Sequence, residues 1–104
     1  MTDTKLKFGE MLFEWDSDKA KKNKIKHGIS FKTAIKVFED ENRIERYDDE
    51  HSGKEDRWQV IGKVEEVLFV VYTERGDITR IISAREADDT EKGIYYGESD
   101  LYFT

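Results

Sequence analysis

The chain has 104 residues, of which 37% are hydrophobic, 40% charged and 12% aromatic, with a formal net charge of -6. That length suits one hydrophobic core and a single domain over 1–104, and the aromatic content supplies large apolar side chains to bury. The absence of cysteine excludes disulfides and thiolate metal sites, and the acidic balance argues against indiscriminate binding to nucleic acid, whose phosphates are met mainly by Lys and Arg.

The opening residues, MTDTKLKFGE, lack the apolar segment of a secretory signal. No apolar run approaches the roughly 18 residues of a membrane span, so a soluble cytoplasmic protein is expected. Met11, Leu12, Phe13 and Trp15 predict a short first strand. Asp16 or Ser17 can then accept hydrogen bonds from the free amides of a helix that runs to about His27 and stops at Gly28. Its lysines, in KAKKNKIK (19–26), outnumber its apolar residues Ala20 and Ile25. This helix should face mostly water and depend on its neighbours. Ser30 can cap a second helix, in which Phe31, Ala34, Ile35 and Phe38 recur at the spacing of a buried stripe.

After Asn42 the periodicity changes. RIERY (43–47) predicts a short strand and DDEHSGKED (48–56) a polar loop. RWQVIGK (57–63), VLFVVYTE (67–74) and DITRIISAR (77–85) predict three further strands in an antiparallel meander. DDTEKGIYY (88–96) predicts a short helix interrupted at Gly93, and LYFT (101–104) is apolar enough to dock on the fold. This order gives an α+β fold, an antiparallel sheet with two N-terminal-half helices on one face and a short C-terminal helix.

With turns at Gly76-Asp77 and Glu65-Glu66, period-two alternation sorts the side chains. Trp58, Val60, Phe69, Val71, Ile78, Ile82 and Ala84 fall toward the helices. Arg57, Gln59, Ile61, Val70, Tyr72, Glu74, Thr79, Ile81, Ser83 and Arg85 fall on the opposite, open face. Arg80 goes with the apolar set and Arg75 lies beside the turn. Either turn shifting the register by an odd number of residues would invert this sorting. From spacing alone, Arg57 reads as the cross-strand partner of Glu74, a pair contributing roughly 0.2 to 1 kcal/mol. Arg75 then reads as a solvated turn residue and Arg80 as a snorkelling one.

FEWD (13–16), KHGISF (26–31), AIKVFED (34–40), DDEHSGKEDRW (48–58), IG (61–62) and VVYTERGDITRIISAREA (70–87), followed by Glu91 and Tyr95, together resemble the BrnT family, toxins of bacterial type II toxin-antitoxin systems. The resemblance spans most of the chain. It implies a RelE-like fold, RNA cleavage without metal or cofactor, and an inhibitory ribbon-helix-helix antitoxin of the BrnA type. Operator DNA would be bound only through that antitoxin, a segment of which is expected over the open sheet face or its arginine edge.

Metal-free RNA cleavage must activate a ribose 2′-hydroxyl, stabilise added negative charge on the phosphate and protonate the departing 5′-oxygen. Arginine suits the second task through its fork of N–H donors, and histidine suits proton transfer near neutral pH. On the resemblance, Arg57 and Arg80 bind the scissile phosphate, His51 transfers protons, and Lys19, Arg75 and Arg85 help to hold RNA. Residue chemistry alone leaves alternatives. His51 also reads as a solvated loop side chain, and Glu74 as a base or as the partner of Arg57. Tyr72 and Tyr95 read as stacking platforms or as packing residues, and the lysine block as a phosphate track or a solvated face. His27 reads as a favourable charge at a helix C-terminus. Two separated histidines without cysteine give little ground for a metal site, and none is expected. Where the family is commonly basic after ISAR, this chain has Asp88, Asp89, Thr90 and Gly93. That departure opens a second reading, a module that binds an antitoxin without cleaving RNA.

Overall fold

The computed structural model describes residues 2–97, so the LYFT segment and its expected docking lie outside the described residues. β1 (Asp3–Phe8) and β2 (Met11–Asp16) form a hairpin in which Phe8 pairs with Met11. Gly9 takes φ 61° in its two-residue turn, a conformation glycine adopts without a Cβ clash. β1 was not expected from the sequence, because only Leu6 and Phe8 are apolar along it. Such polar patterning is common at sheet edges, where a strand has a partner on one side only.

α1 (Ser17–His27) begins and ends as its sequence requires. Asp16 accepts hydrogen bonds from the amides of Asp18 and Lys19, and Gly28 closes the helix at φ 75°. α2 (Phe31–Ala34) is capped by Ser30 and tightens into a 3-10 turn over Ile35–Glu39. Together they bury Phe31, Ala34, Ile35, Val37 and Phe38. The meander follows as β3 (Ile44–Tyr47), β4 (Trp58–Val64), β5 (Glu66–Arg75) and β6 (Ile78–Glu86). α3 (Asp89–Tyr96) runs through Gly93 without a break and starts with a reciprocal capping box between Asp88 and Glu91.

The six strands lie in the order β1-β2-β6-β5-β4-β3. All neighbours are antiparallel except β2 and β6, which run parallel, so the sheet is mixed. α1 and α2 cover one face, where Phe13, Trp15, Val60, Val70, Tyr72 and Ile81 meet the helical apolar residues. Contact is closest at Gly62, where an added Cβ would lie 2.8 Å from the Cβ of Val37. Glycine there lets the 3-10 turn approach the strand.

Two features correct the expected sorting of side chains. Val64 pairs directly with Glu66, so the turn consists of Glu65 alone, at φ 61°. This one-residue shift puts Trp58 opposite Tyr72 and Val60 opposite Val70. A register shift at Val71/Tyr72 then moves β6, so that Ile81 and Ala84 face the helices while Ile82 does not. The second face is also not open along its whole length. Ile61, Val67, Phe69, Val71 and Ala87 form a second small core under Ile94 and Tyr95 of α3. The Tyr95 hydroxyl donates to Asp40 at 2.6 Å, tying α3 to the end of the 3-10 turn. On this face the half nearer Gly76 is left to polar and charged residues.

Candidate functional site

The expected DDEHSGKED loop is built around one buried carboxylate. Asp48, at the end of β3, is 1% exposed. Its amide donates to the Arg57 carbonyl at 2.9 Å, and its carbonyl accepts from the Ser52 amide at 3.1 Å and the Ser52 hydroxyl at 2.7 Å. Ser52 Oγ in turn accepts from the Arg57 amide at 2.9 Å. Both ends of the loop therefore share one hydrogen-bond network. Thr73 of β5 donates its hydroxyl to the Asp56 carbonyl at 2.6 Å, fastening the loop to the second sheet face.

His51 is exposed but not free. Its ring Nδ1 lies 2.9 Å from Asp48 Oδ2 and 3.1 Å from Oδ1, and its amide donates to Oδ1 at 3.1 Å. Burial alone would push the Asp48 carboxyl up. Hydrogen bonds from Gln59 and from the amide and ring of His51 outweigh that and hold it below its ordinary value. Because the carboxylate only accepts, Nδ1 carries the proton and Nε2 is the nitrogen left to face outward.

A cleft of about 430 Å³ opens beside this loop, lined by His51, Gly53, Lys54, Glu55, Arg57 and Arg75. Three of the predicted residues, His51, Arg57 and Arg75, thus come together although β4 and β5 separate them in the chain. Arg57 is in no ion pair among the described residues. Arg75 Nη2 is 3.5 Å from Glu55 Oε2, with both side chains well exposed, a contact that an incoming anion can displace. Among the lining residues Lys54, Arg57 and Arg75 stand against one carboxylate, Glu55, so the lining is cationic in an acidic chain.

The other predicted residues lie elsewhere. Cross-strand pairing with Thr73 puts Arg80 on the same sheet face as Arg75, not with the apolar set as alternation suggested. Its guanidinium is occupied, at 2.6 Å from Glu14 Oε2 and 3.2 Å from both oxygens of Asp3, and the side chain is 13% exposed. Arg85 lies at the far end of that face, over the Phe69 ring at 4.3 Å. It makes a two-pronged contact with Glu91 at 2.7 and 2.9 Å. Lys19 lines a separate groove between α1 and β6 with Lys22, Lys26 and His27.

Glu74 pairs with Thr79 across the hairpin and lines no part of the cleft, so the anticipated Arg57–Glu74 contact is absent. The reason is the single-residue turn at Glu65, which moves the neighbours of Arg57 by one position. Tyr72 is 4% exposed and donates to Glu45 at 2.7 Å, a packing role, and burial followed by Glu45 pushes its hydroxyl pKa up. Burial and then Asp40 likewise push Tyr95 up to about 12. Sequence reasoning missed Asp48, Lys54 and Glu55, which read as ordinary loop charges. The one available signal was the three-residue Asp48–His51 spacing, which suits a hydrogen-bonded turn.

The sequence matches the model of the family described as the ribonuclease toxin BrnT of type II toxin-antitoxin systems, over residues 15–91. The chain belongs to the BrnT family. Among solved structures, it is similar to the crystal structure of the Brucella abortus ribonuclease toxin BrnT. The TM-score is 0.55 and the identity 25%, over 72% of this chain and 94% of that one. No curated protein matches it. The BrnT family consists of ribonuclease toxins of type II systems, which implies RNA as substrate and an antitoxin as partner. No described helix is long and apolar enough to cross a membrane.

Proposed function

We propose that this single-domain BrnT-family chain is a metal-independent endoribonuclease acting in the cytoplasm. Its partner is a ribbon-helix-helix antitoxin of the BrnA type, through which the complex reaches operator DNA. The observation that carries this reading is the convergence of His51, Arg57 and Arg75 on one cleft. There the two guanidiniums bind the scissile phosphate and the charge that grows on it. His51 takes the proton of the 2′-hydroxyl as that oxygen bonds to phosphorus. The bond from phosphorus to the 5′-oxygen breaks, and the 5′-oxygen takes a proton from solvent. The products are a 2′,3′-cyclic phosphate and a free 5′-hydroxyl. Arg80 stands next to this site on the same face, where its ion pairs with Glu14 and Asp3 contribute rigidity, while Lys19 and Arg85 extend the RNA contact outside the cleft.

A second reading is favoured by one observation, the engagement of Arg85 by Glu91 in an acidic α3. On it the chain binds the antitoxin but holds RNA too weakly to cut. Expression in bacteria decides between them. The toxin reading predicts growth arrest with RNA loss when the chain is induced alone, and recovery when the antitoxin is co-expressed. Normal growth with soluble, folded protein supports the second reading.

A further inference from the structure

We propose that Asp48 is the positioning residue of the cleft. Its carboxylate holds the His51 ring with Nδ1 protonated, so that the Nε2 lone pair is offered to the 2′-hydroxyl. This rests on the ribonuclease reading above and names a residue that acts through another.

The arrangement exceeds what closing a loop requires. A turn at this point needs one acceptor for the His51 amide, and Asp48 Oδ1 supplies it at 3.1 Å. The carboxylate nevertheless also takes the imidazole Nδ1, at 2.9 Å to Oδ2. A carboxylate 1% exposed is costly unless its oxygens are fully used, and here the ring of the cleft's histidine uses one of them. The ring is 55% exposed, so the contact is not imposed by packing around it. A histidine on a ten-residue polar loop would otherwise sample several rotamers and both tautomers, losing the fixed geometry that proton transfer needs.

The geometry also specifies the informative variant. In Asp48→Asn the amide oxygen keeps the His51 backbone N–H, which places the NH2 group where Oδ2 now meets Nδ1. Nδ1 then meets a donor at its shorter contact, 2.9 Å, and keeps an acceptor only at 3.1 Å on the retained oxygen, so the tautomer balance moves toward protonated Nε2 and away from a lone pair offered to the cleft. Imidazole nitrogen NMR of the labelled, intact protein should find Nδ1 protonated in the wild type and the balance shifted toward protonated Nε2 in D48N. Steady-state cleavage of a model RNA should fall about a hundredfold or more in kcat with little change in KM. A wild type with Nε2 protonated overturns the proposal even if D48N fails to fold. A folded D48N that keeps the wild-type tautomer or the wild-type kcat overturns it as well. Failure of the wild type itself to cut RNA would instead remove the activity on which the role rests, a result distinct from an active wild type matched by an active D48N.

Discussion

At the scale of single residues, the arginines of this face divide by what holds them. Arg57 is unpaired among the described residues and Arg75 loosely paired, whereas Arg80 is held by Glu14 and Asp3, and Arg85 by Glu91. Arg80→Ala should therefore act first on stability. It leaves Glu14, 7% exposed, as an uncompensated buried charge, at a cost of about 3 kcal/mol. Adding Glu14→Gln should recover a large part of that loss in urea denaturation; equal losses in the single and double variants would show that the pair carries little. The partners of Arg80 lie 66 and 77 residues away, and no local pattern announces them. His51 and Arg57 were legible through the family-like loop. Asp48 was not, because an acid in a polar loop looks solvated until the fold buries it.

At the scale of elements, α1 is attached by a polar residue. Asn23 is its buried position, and its side-chain amide donates to the carbonyls of Ile29 and Ala84 while its oxygen accepts from the Ala84 amide. Asn23→Ala should cost about 2 kcal/mol by leaving buried β6 backbone groups unsatisfied, measured as a shift in the urea midpoint. An unchanged midpoint would mean that the lysine-rich helix is held by something else. The caps at Asp16, Gly28 and Ser30 made helix starts and stops readable, since each acts within a few residues, while the capping box at Asp88 emerged only in the structure. The existence of β2 to β6 was readable as well, whereas β1, with only Leu6 and Phe8 apolar, was not. Strand register was not, because the single-residue turn at Glu65 and the irregularity at Val71/Tyr72 arise from pairing that a two-residue turn rule does not contain. The parallel pairing of β2 with β6 likewise depends on where the helices return the chain.

At the scale of the whole molecule, an acidic protein presents a small cationic opening, and two low-lying carboxyls fasten its elements, Asp48 in the loop beside that opening and Asp40 at the end of the 3-10 turn. Asp40 and Asp48 are both held below the ordinary value of 3.8, burial opposing the shift and hydrogen bonds overcoming it. For groups whose folded pKa is depressed, the added stability is fully present above the unfolded value and is lost as pH falls through the folded one. Stability should thus be flat near neutrality and decline below about pH 3.8. In Asp40→Asn, which removes the carboxylate that Tyr95 donates to, chemical denaturation at stepped pH should show a shallower decline than the wild type. A decline as steep in the variant would take Asp40 out of the account. The central claim is that the cleft cuts RNA through an unpaired guanidinium, and its most direct test is cleavage of a labelled RNA in excess chelator by the wild type and by Arg57→Ala of matched stability. The account predicts cutting by the wild type and a loss of about tenfold or more in kcat/KM for the variant. Equal rates for the two, or no cutting by the folded wild type, would contradict it.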